Sequence, residues 1–281
     1  MTNTPPGSRG HLNPGDPRVA FDRFALEPGL NALVRHVWIV RWSVPEGEEA
    51  TQRVLSYAAF NAVLEVSHES GPPVSLALFP PTARVAMRRL RGHGKAVGVL
   101  LRPCAGRLLL EPSGLGANEV RPSGHPLTDA PTRDLRLALG FGASVRVAYV
   151  LTEWLAPLAR RVDERDRLVN EACRLAEEDA SLDRASDLAA RVGVAPRTLE
   201  RTLREYLGLS PKWLIECRRL QSAATTLYTE PDADLSRMAV DLGYVDYAHF
   251  SRRYRTALGE TPNATRNAGL EAARRRAAGS P

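Results

Sequence analysis

The sequence has few cysteines, almost no lysine and no long apolar run. Among its 281 residues are 3 cysteines, Cys104, Cys173 and Cys217, and no C-x-x-C pair. This sparse, odd set argues against a disulfide framework and against a cysteine-ligated zinc site. No run of about 18 apolar residues occurs, so we expect no membrane span. The N-terminal segment lacks the apolar core of a signal peptide, and a cytoplasmic location is the default expectation.

Positive charge comes almost entirely from arginine. Lys95 and Lys212 are the only lysines among 38 basic residues, and the net charge is +6. Such a balance suits an anionic partner without identifying it. The planar guanidinium of arginine can bond bidentately to phosphate or guanine. A genomic bias towards arginine and alanine codons would give the same composition, so both explanations stay open.

The first half of the chain has the pattern of short strands between turns. Alternation places Trp38, Val40, Trp42 and Val44 on one face of a strand, and Ala62, Leu64 and Val66 on one face of another. Val74–Phe79 and Lys95–Leu101 are further predicted strands, and clusters of Pro and Gly separate them. Length and composition allow two globular domains. Residues 19 to about 128 therefore predict a β-rich sandwich or small barrel.

The second half has the pattern of helices. We expect a short helix over Cys104–Leu110 and a longer one over Ser144–Val162, in which Pro157 could cause a break. From about Leu168 onward the apolar spacing is helical throughout.

A stretch of this helical half is written twice. It reads LAARVGVAPRTLERTLREYLGLSP from Leu188 and MAVDLGYVDYAHFSRRYRTALGETP from Met238. The offset is 50 residues at Gly193 and Gly243, and 51 residues from Leu199 and Phe250 onward. Apolar, glycine and arginine positions recur in register, which argues against a chance match.

The first copy has the pattern of a helix-turn-helix. Ser181 or Asp183 can cap its first helix, Gly193 suits a turn with positive φ, and Pro196 suits the start of the second helix. The inward positions of that helix are apolar or aromatic: Leu199, Leu203 and Tyr206. The opposite face carries Arg197, Glu200, Arg201 and Arg204. A helix anchored by one face, with Arg and Glu near its N-terminus, suits a major groove.

The second copy repeats this plan. Gly243 makes the turn and Asp246 can cap the following helix. Phe250 and Tyr254 point inward, whereas the outward positions are Tyr247, Ala248, His249 and Arg252. Between the copies, a predicted helix from Lys212 to Tyr228 would span about 24 Å, which could hold the two readers near one turn of DNA apart, about 34 Å.

Residues 168–267 resemble the C-terminal domain of AraC/XylS-type transcription regulators. The resemblance rests on the first copy, on the linker WLIECRRLQSA and on the pattern IAxxxGYxDxxxFSRxYRxxxGxTP, which has Met238 in place of its Ile. It implies base contacts from Arg197, Glu200, Arg201, Tyr247, Ala248, His249 and Arg252. We expect phosphate contacts from Thr198, Arg204, Ser251, Arg253 and Arg255. Ala248 is too short for polar readout, which leaves it contact with a thymine methyl or no role.

The N-terminal half resembles, more loosely, a sensor-like domain that precedes this module in some family members. The matching segments are LVRHVWIVRW, Phe79–Pro80–Pro81–Thr82 and VGVLLRPCAGRLLL. Such domains often bind an effector or dimerise, commonly on a cupin-like β-barrel. We therefore expect an α+β multidomain protein with a β-rich cupin-like N-terminal domain and an all-α C-terminal domain.

The predicted domains are a disordered tail over 1–17, a sensor-like domain over 18–140, a helical linker over 141–167, a double helix-turn-helix domain over 168–268 and a disordered Ala/Arg tail over 269–281. The implied partners are promoter DNA and RNA polymerase. The implied function is regulation of transcription, more specifically activation, by a protein that binds two successive major-groove segments. A small-molecule effector and a homodimer stay open.

Two enzyme classes compete with this interpretation. Some proteins fuse such a DNA module to a repair methyltransferase, but that chemistry needs a cysteine cluster which this chain lacks. A metal-dependent cupin enzyme would need histidine ligands, and His36, His68, His93 and His125 lie in the β-rich half without a His-x-His pair. We therefore predict no enzyme, no metal and no cofactor.

A third class uses its helices for protein contacts only. The salt dependence of DNA binding would separate it from a DNA reader, because arginines that neutralise phosphates release counterions.

Overall fold

The computed structural model describes residues 16–55, 58–67, 76–81, 85–109, 131–140 and 144–278. The strands in these ranges are β1 Val19–Phe24, β2 Val34–Ser43, β3 Ala50–Leu55, β4 Asn61–Ser67, β5 Ala77–Phe79, β6 Val85–Leu90 and β7 His93–Leu101. The helices are α1 Ala105–Leu109, α2 Thr132–Gly140, α3 Ser144–Ala159, α4 Glu164–Glu178, α5 Ala185–Arg191, α6 Pro196–Leu207, α7 Pro211–Thr229, α8 Leu235–Asp241, α9 Tyr247–Leu258 and α10 Pro262–Ala278. All but two residues of the predicted tail over 1–17 lie outside the described ranges.

The β-rich half contains a five-stranded antiparallel sheet and a two-stranded ribbon. The sheet has the order β1-β2-β7-β4-β5, and the ribbon pairs β3 with β6. One sheet face carries the predicted row of Trp38, Val40 and Trp42, and Trp42 packs with Ala50 of the ribbon. The indole of Trp38 lies over Gly98, where an added Cβ would be 2.0 Å from the ring. The predicted α+β organisation is confirmed, and the described strands form an open sheet and a ribbon.

The other face of the sheet begins a core that continues into the helical half. Ile39 of β2 and Val99 of β7 belong to the same buried cluster as Leu151 of α3 and Leu199 of α6. A separate buried cluster runs from Leu220 of α7 to the end of the second copy. The β-rich half and the first copy therefore share one core, whereas the second copy has its own.

Several element boundaries differ from the sequence expectation. Pro157 lies in the last turns of α3 without ending it, and α3 stops at Ala159 rather than at Val162. Helix α4 begins at Glu164, ahead of the predicted boundary at residue 168. The reason is a capping box, in which the side chains of Asp163 and Asp166 each accept a hydrogen bond from the other's backbone N–H.

The C-terminal segment is also more ordered than expected. Residues 269–281 were predicted to be a disordered tail, but α10 continues to Ala278. Gly269 allows this helix to approach α7 closely, since an added Cβ would lie 2.3 Å from the carbonyl oxygen of Tyr228. Helix packing therefore overrides the composition of this segment. Among the described helices, none is both long enough and apolar enough to cross a membrane.

Candidate nucleic-acid interface

The two copies of the sequence repeat have helices of equal length and the same glycine turn, and the second copy has one more residue between its two helices. Helices α5 and α8 have 7 residues each, and α6 and α9 have 12 each. Gly193 and Gly243 have φ values of +74° and +77°, the left-handed conformation that favours glycine. The N–H of the next residue bonds to the carbonyl oxygen of Ala189 in one copy and of Ala239 in the other, at 3.0 and 2.9 Å. The glycine turn therefore has the same geometry in both copies, although the connection is one residue longer in the second.

The repeat extends further back than the sequence pattern indicated. At an offset of 51 residues, the buried positions of α4 match buried positions of α7: Asp166, Val169, Ala172, Cys173 and Ala176 correspond to Cys217, Leu220, Ala223, Ala224 and Leu227. We call α4–α6 unit 1 and α7–α9 unit 2. Helix α7 is therefore both the linker and the first helix of unit 2.

The starts of the helices differ between the units. In unit 2, Asp246 caps α9 by accepting a hydrogen bond from the backbone of His249 at 2.6 Å. In unit 1, α6 begins with Pro196 after Ala195, which has no capping side chain. The predicted capping of α5 by Ser181 or Asp183 is wrong. Arg184 occupies the N-cap position without a side-chain bond, because a guanidinium has no acceptor. Asp183 pairs with Arg219 at 2.6 Å.

The inward faces of the recognition helices α6 and α9 are buried as predicted. Leu199 and Leu203 are 0% exposed, and so are Phe250 and Tyr254. The hydroxyl of Tyr254 hydrogen-bonds with Thr265 of α10 at 2.8 Å. Each recognition helix is therefore fixed by its apolar side, which leaves the opposite side to solvent.

The outward face of α6 presents two arginines. Arg197 and Arg201 are exposed, and neither forms an ion pair within the described ranges. Glu200 instead accepts a bond from Arg204 at 2.7 Å, one helical turn along. Thr198 is half-buried beside them. In this state Arg197 and Arg201 are available to an anionic ligand, whereas Glu200 and Arg204 are engaged with each other.

The outward face of α9 combines aromatic rings with exposed arginine. Ala248 and Arg252 are exposed. Tyr247 is half-buried, with its ring 6.4 Å from that of Phe250. His249 is also half-buried and meets the ring of Tyr244 edge-on at 5.3 Å. The two recognition helices therefore present different chemistry on the same frame.

The predicted phosphate contacts of α9 divide into two groups. Arg255 is exposed and Ser251 is half-buried, both on the solvent side of the helix. Arg253 instead faces α7, where its Nε donates to Glu216 at 2.7 Å and a second nitrogen donates to the other carboxylate oxygen. Sequence reasoning missed Glu216, because no local pattern pairs residues 37 positions apart.

Glu216 has a second neighbour in unit 2. Burial, together with the negative charge of Glu216, raises the pKa of Tyr244 to about 12. We call Glu216, Arg253 and Tyr244 the Glu216 clamp. Helix α7 itself has 19 residues and is about 28 Å long, close to one turn of DNA.

The described part of the β-rich half offers no metal site. No group of three or more His, Cys, Asp or Glu side chains is placed to hold an ion there. His36 pairs with Leu100 and His93 pairs with Ser43, so these histidines are about 23 Å apart along the strands. His36 is buried, and burial together with nearby arginines lowers its pKa to about 3. His68 and His125 lie outside the described ranges.

Known families match both halves of the chain. Residues 188–268 match a helix-turn-helix domain, and residues 22–115 match a domain of unknown function (DUF6597). Two curated proteins of Pseudomonas putida, named XylDLEGF operon transcriptional activator and XylDLEGF operon transcriptional activator 1, are each 32% identical over 92 residues. The match covers 32% of this chain and 27% of each relative, so the chain spans about a quarter of their length.

Two solved structures are also similar. One is a transcriptional regulator from Chromobacterium violaceum with an AraC-type DNA-binding domain, at 30% identity, 37% of this chain, 94% of that chain and a TM-score of 0.34. The other is ToxT from Vibrio cholerae, at 10% identity, 89% of this chain, 98% of that chain and a TM-score of 0.37.

The C-terminal part of the chain is therefore a helix-turn-helix domain. More specifically, it is of the AraC/XylS type, as the resemblance of residues 168–267 implied.

Proposed function

We propose that the protein is a transcription regulator that binds a specific DNA site with both helix-turn-helix units. The observation that carries this proposal is that the helix-turn-helix is repeated while the outward residues of its two recognition helices differ. The repeated fold supports the same mode of docking on DNA for both units. The different outward residues support recognition of two different base sequences. A single protomer would then bind an asymmetric site in two successive major-groove segments.

The proposed base contacts are the outward residues of α6 and α9. Arg197 and Arg201 suit guanine, because the guanidinium matches its two acceptors. Arg252 has the same chemistry in unit 2, and Ala248 suits a thymine methyl. Tyr247 and His249, whose rings are half-buried, would contact bases with their exposed edges. Glu200 would have to exchange Arg204 for a cytosine amino group.

We further propose that the protein activates transcription from a promoter by touching RNA polymerase, with regulation through the β-rich half. Support for activation is the name of the two similar curated proteins, which share the helix-turn-helix segment. Support for a regulatory β-rich half is its shared core with unit 1, through which a change in one would reach the other.

The direct test is binding of the purified protein to genomic fragments, followed by titration on the site found. Arg201→Ala and Arg252→Ala should each weaken specific binding by about 1–3 kcal/mol and relax base choice at one position. Arg136→Ala is the matched control, since Arg136 is exposed on α2, which packs against α3 and the sheet. Affinity should fall steeply with salt. Unchanged binding by both recognition variants would contradict the proposal.

A further inference from the structure

The two cores of the molecule meet inside helix α7. Ile215 belongs to the core shared by the β-rich half and unit 1, whereas Leu220 belongs to the core of unit 2. The boundary between the two apolar cores is therefore a short segment of α7 between Ile215 and Leu220. The polar residues of this segment contact both units.

Two of these residues point to unit 1. Arg218 donates to the backbone carbonyl oxygens of Asp179 and Leu182, the second at 2.8 Å. Arg219 pairs with Asp183 at 2.6 Å. These three bonds attach α7 to the turn between α4 and α5. Arg218 is half-buried, and its bonds satisfy carbonyls at the end of a helix.

The third residue points to unit 2. Glu216 is 19% exposed in its side chain and accepts two bonds from Arg253 on the recognition helix α9. Tyr244, which follows the turn glycine Gly243, lies near enough for the charge of Glu216 to raise the pKa of its hydroxyl. A bidentate arginine–carboxylate pair fixes orientation as well as distance. Within four residues, α7 is thus bonded to the turn of unit 1 and to the recognition helix of unit 2.

We propose that the Glu216 clamp sets the angle between the two recognition helices, and so determines which spacing of the two DNA segments the protein accepts. This inference rests on the proposed function. It assigns Arg253 to positioning rather than to a phosphate contact. Glu216 and Tyr244 are positioning residues as well, since they act through the placement of α9.

Spacing is a sensitive readout because each inserted base pair rotates the second segment by about 34° and moves it by about 3.4 Å. A protein with a fixed angle should bind the natural site well and a site with one inserted pair poorly. Glu216→Gln and Arg253→Gln should lower this discrimination by about three- to tenfold. Tyr244→Phe should have a smaller effect in the same direction.

The experiment measures binding of wild type and variants to the natural site and to sites with one pair inserted or deleted, at several salt concentrations. Circular dichroism on each variant checks folding. The exchange E216R with R253E should restore the spacing discrimination that either single change removes, because it rebuilds the ion pair. Glu171→Gln is the matched control: it breaks an exposed pair with Arg174 that lies within α4.

The alternative role of Arg253 has a different signature. A phosphate contact predicts that Arg253→Gln reduces the salt slope by about 1 and leaves spacing unchanged, and that the double exchange restores nothing. That result would overturn the clamp while leaving the proposed function intact. A wild-type protein that binds no specific site would instead overturn the proposed function and the clamp with it.

Discussion

Units 1 and 2 share the same order of helices and the same glycine turn but are attached to the rest of the molecule in different ways. One face of α4 in unit 1 carries three polar residues that bind the β-rich half. Asp166 binds Arg107 of α1, Asn170 bonds to the backbone of Ala32 and Cys104, and Glu177 binds Arg35 of β2. This face is a docking surface for another domain.

The matched positions of α7 in unit 2 have a different character. At an offset of 51 residues, Asp166, Asn170 and Glu177 correspond to Cys217, Gln221 and Tyr228. Cys217 and Tyr228 are buried, and α10 packs against this helix. Positions that form the core of each unit therefore have the same character in both units. Positions that differ between the units are those that contact another part of the molecule.

The largest difference in stability between matched positions of the two units is expected when the buried carboxylate of unit 1 is removed. Asp166 is 0% exposed and bonds to the Arg107 guanidinium with both oxygens. Asp166→Ala should lower the free energy of unfolding by about 3 kcal/mol, since it leaves a partly buried cation and a helix start without their partner. Cys217→Ala at the matched position should cost about 1 kcal/mol. Denaturant titration of both variants measures the difference, and equal losses would contradict it.

Acid should weaken the same attachment. Burial opposes ionisation of Asp166, but Arg107 and the backbone N–H of Asp163 outweigh it and hold its pKa below the usual range. A lowered pKa means that this stabilisation is present above about pH 4 and is lost as the pH falls below it. The stability difference between wild type and Asp166→Asn should therefore shrink from pH 7 to pH 3. A difference that stays constant would count against the role of the charge.

Substitution of the turn glycines should lower the free energy of unfolding equally in the two units. An added Cβ at Gly193 or Gly243 meets nothing within 4 Å, so only the positive φ opposes a side chain. Each change to Ala should cost about 1 kcal/mol. Gly29→Ala, also without steric contact but with an ordinary φ, is the control. Clearly unequal losses at the two turns, measured by thermal unfolding, would show that the backbones are not equivalent.

The smallest effect of a single substitution is expected in helix capping. Asp246→Ala removes the cap of α9 and should cost about 1 kcal/mol, whereas Ala195→Asp supplies a cap that α6 lacks and should gain about 0.5 kcal/mol. Opposite signs in the unfolding free energies are the expected result. A loss in both variants would mean that Ala195 is required by something other than capping.

The repeat could be predicted from sequence because its information is local. Gly193 and Gly243 need a positive φ, and residues such as Leu199 and Phe250 recur at helical spacing. The strands β1, β3 and β6 escaped prediction because they lie at an edge or in the ribbon, where Met87 and Arg88 are exposed and period-two alternation is weak.

The Glu216 clamp could not be predicted for a different reason. An ion pair between α7 and α9 depends on the angle at which two helices cross, and the outward spacing of Arg253 equally suits a phosphate. The docking surface of α4 posed the same problem, since Asp166 and Glu177 resemble ordinary helix-surface charges until the sheet is placed against them.

The most direct test of the two-reader account is a hydroxyl-radical footprint of one protomer on its specific site. We expect two protected patches about one helical turn apart. Arg201→Ala should weaken protection at one patch, and Arg252→Ala should weaken it at the other. A single protected patch, or loss of the same patch in both variants, would contradict the claim that the two units read different segments of DNA.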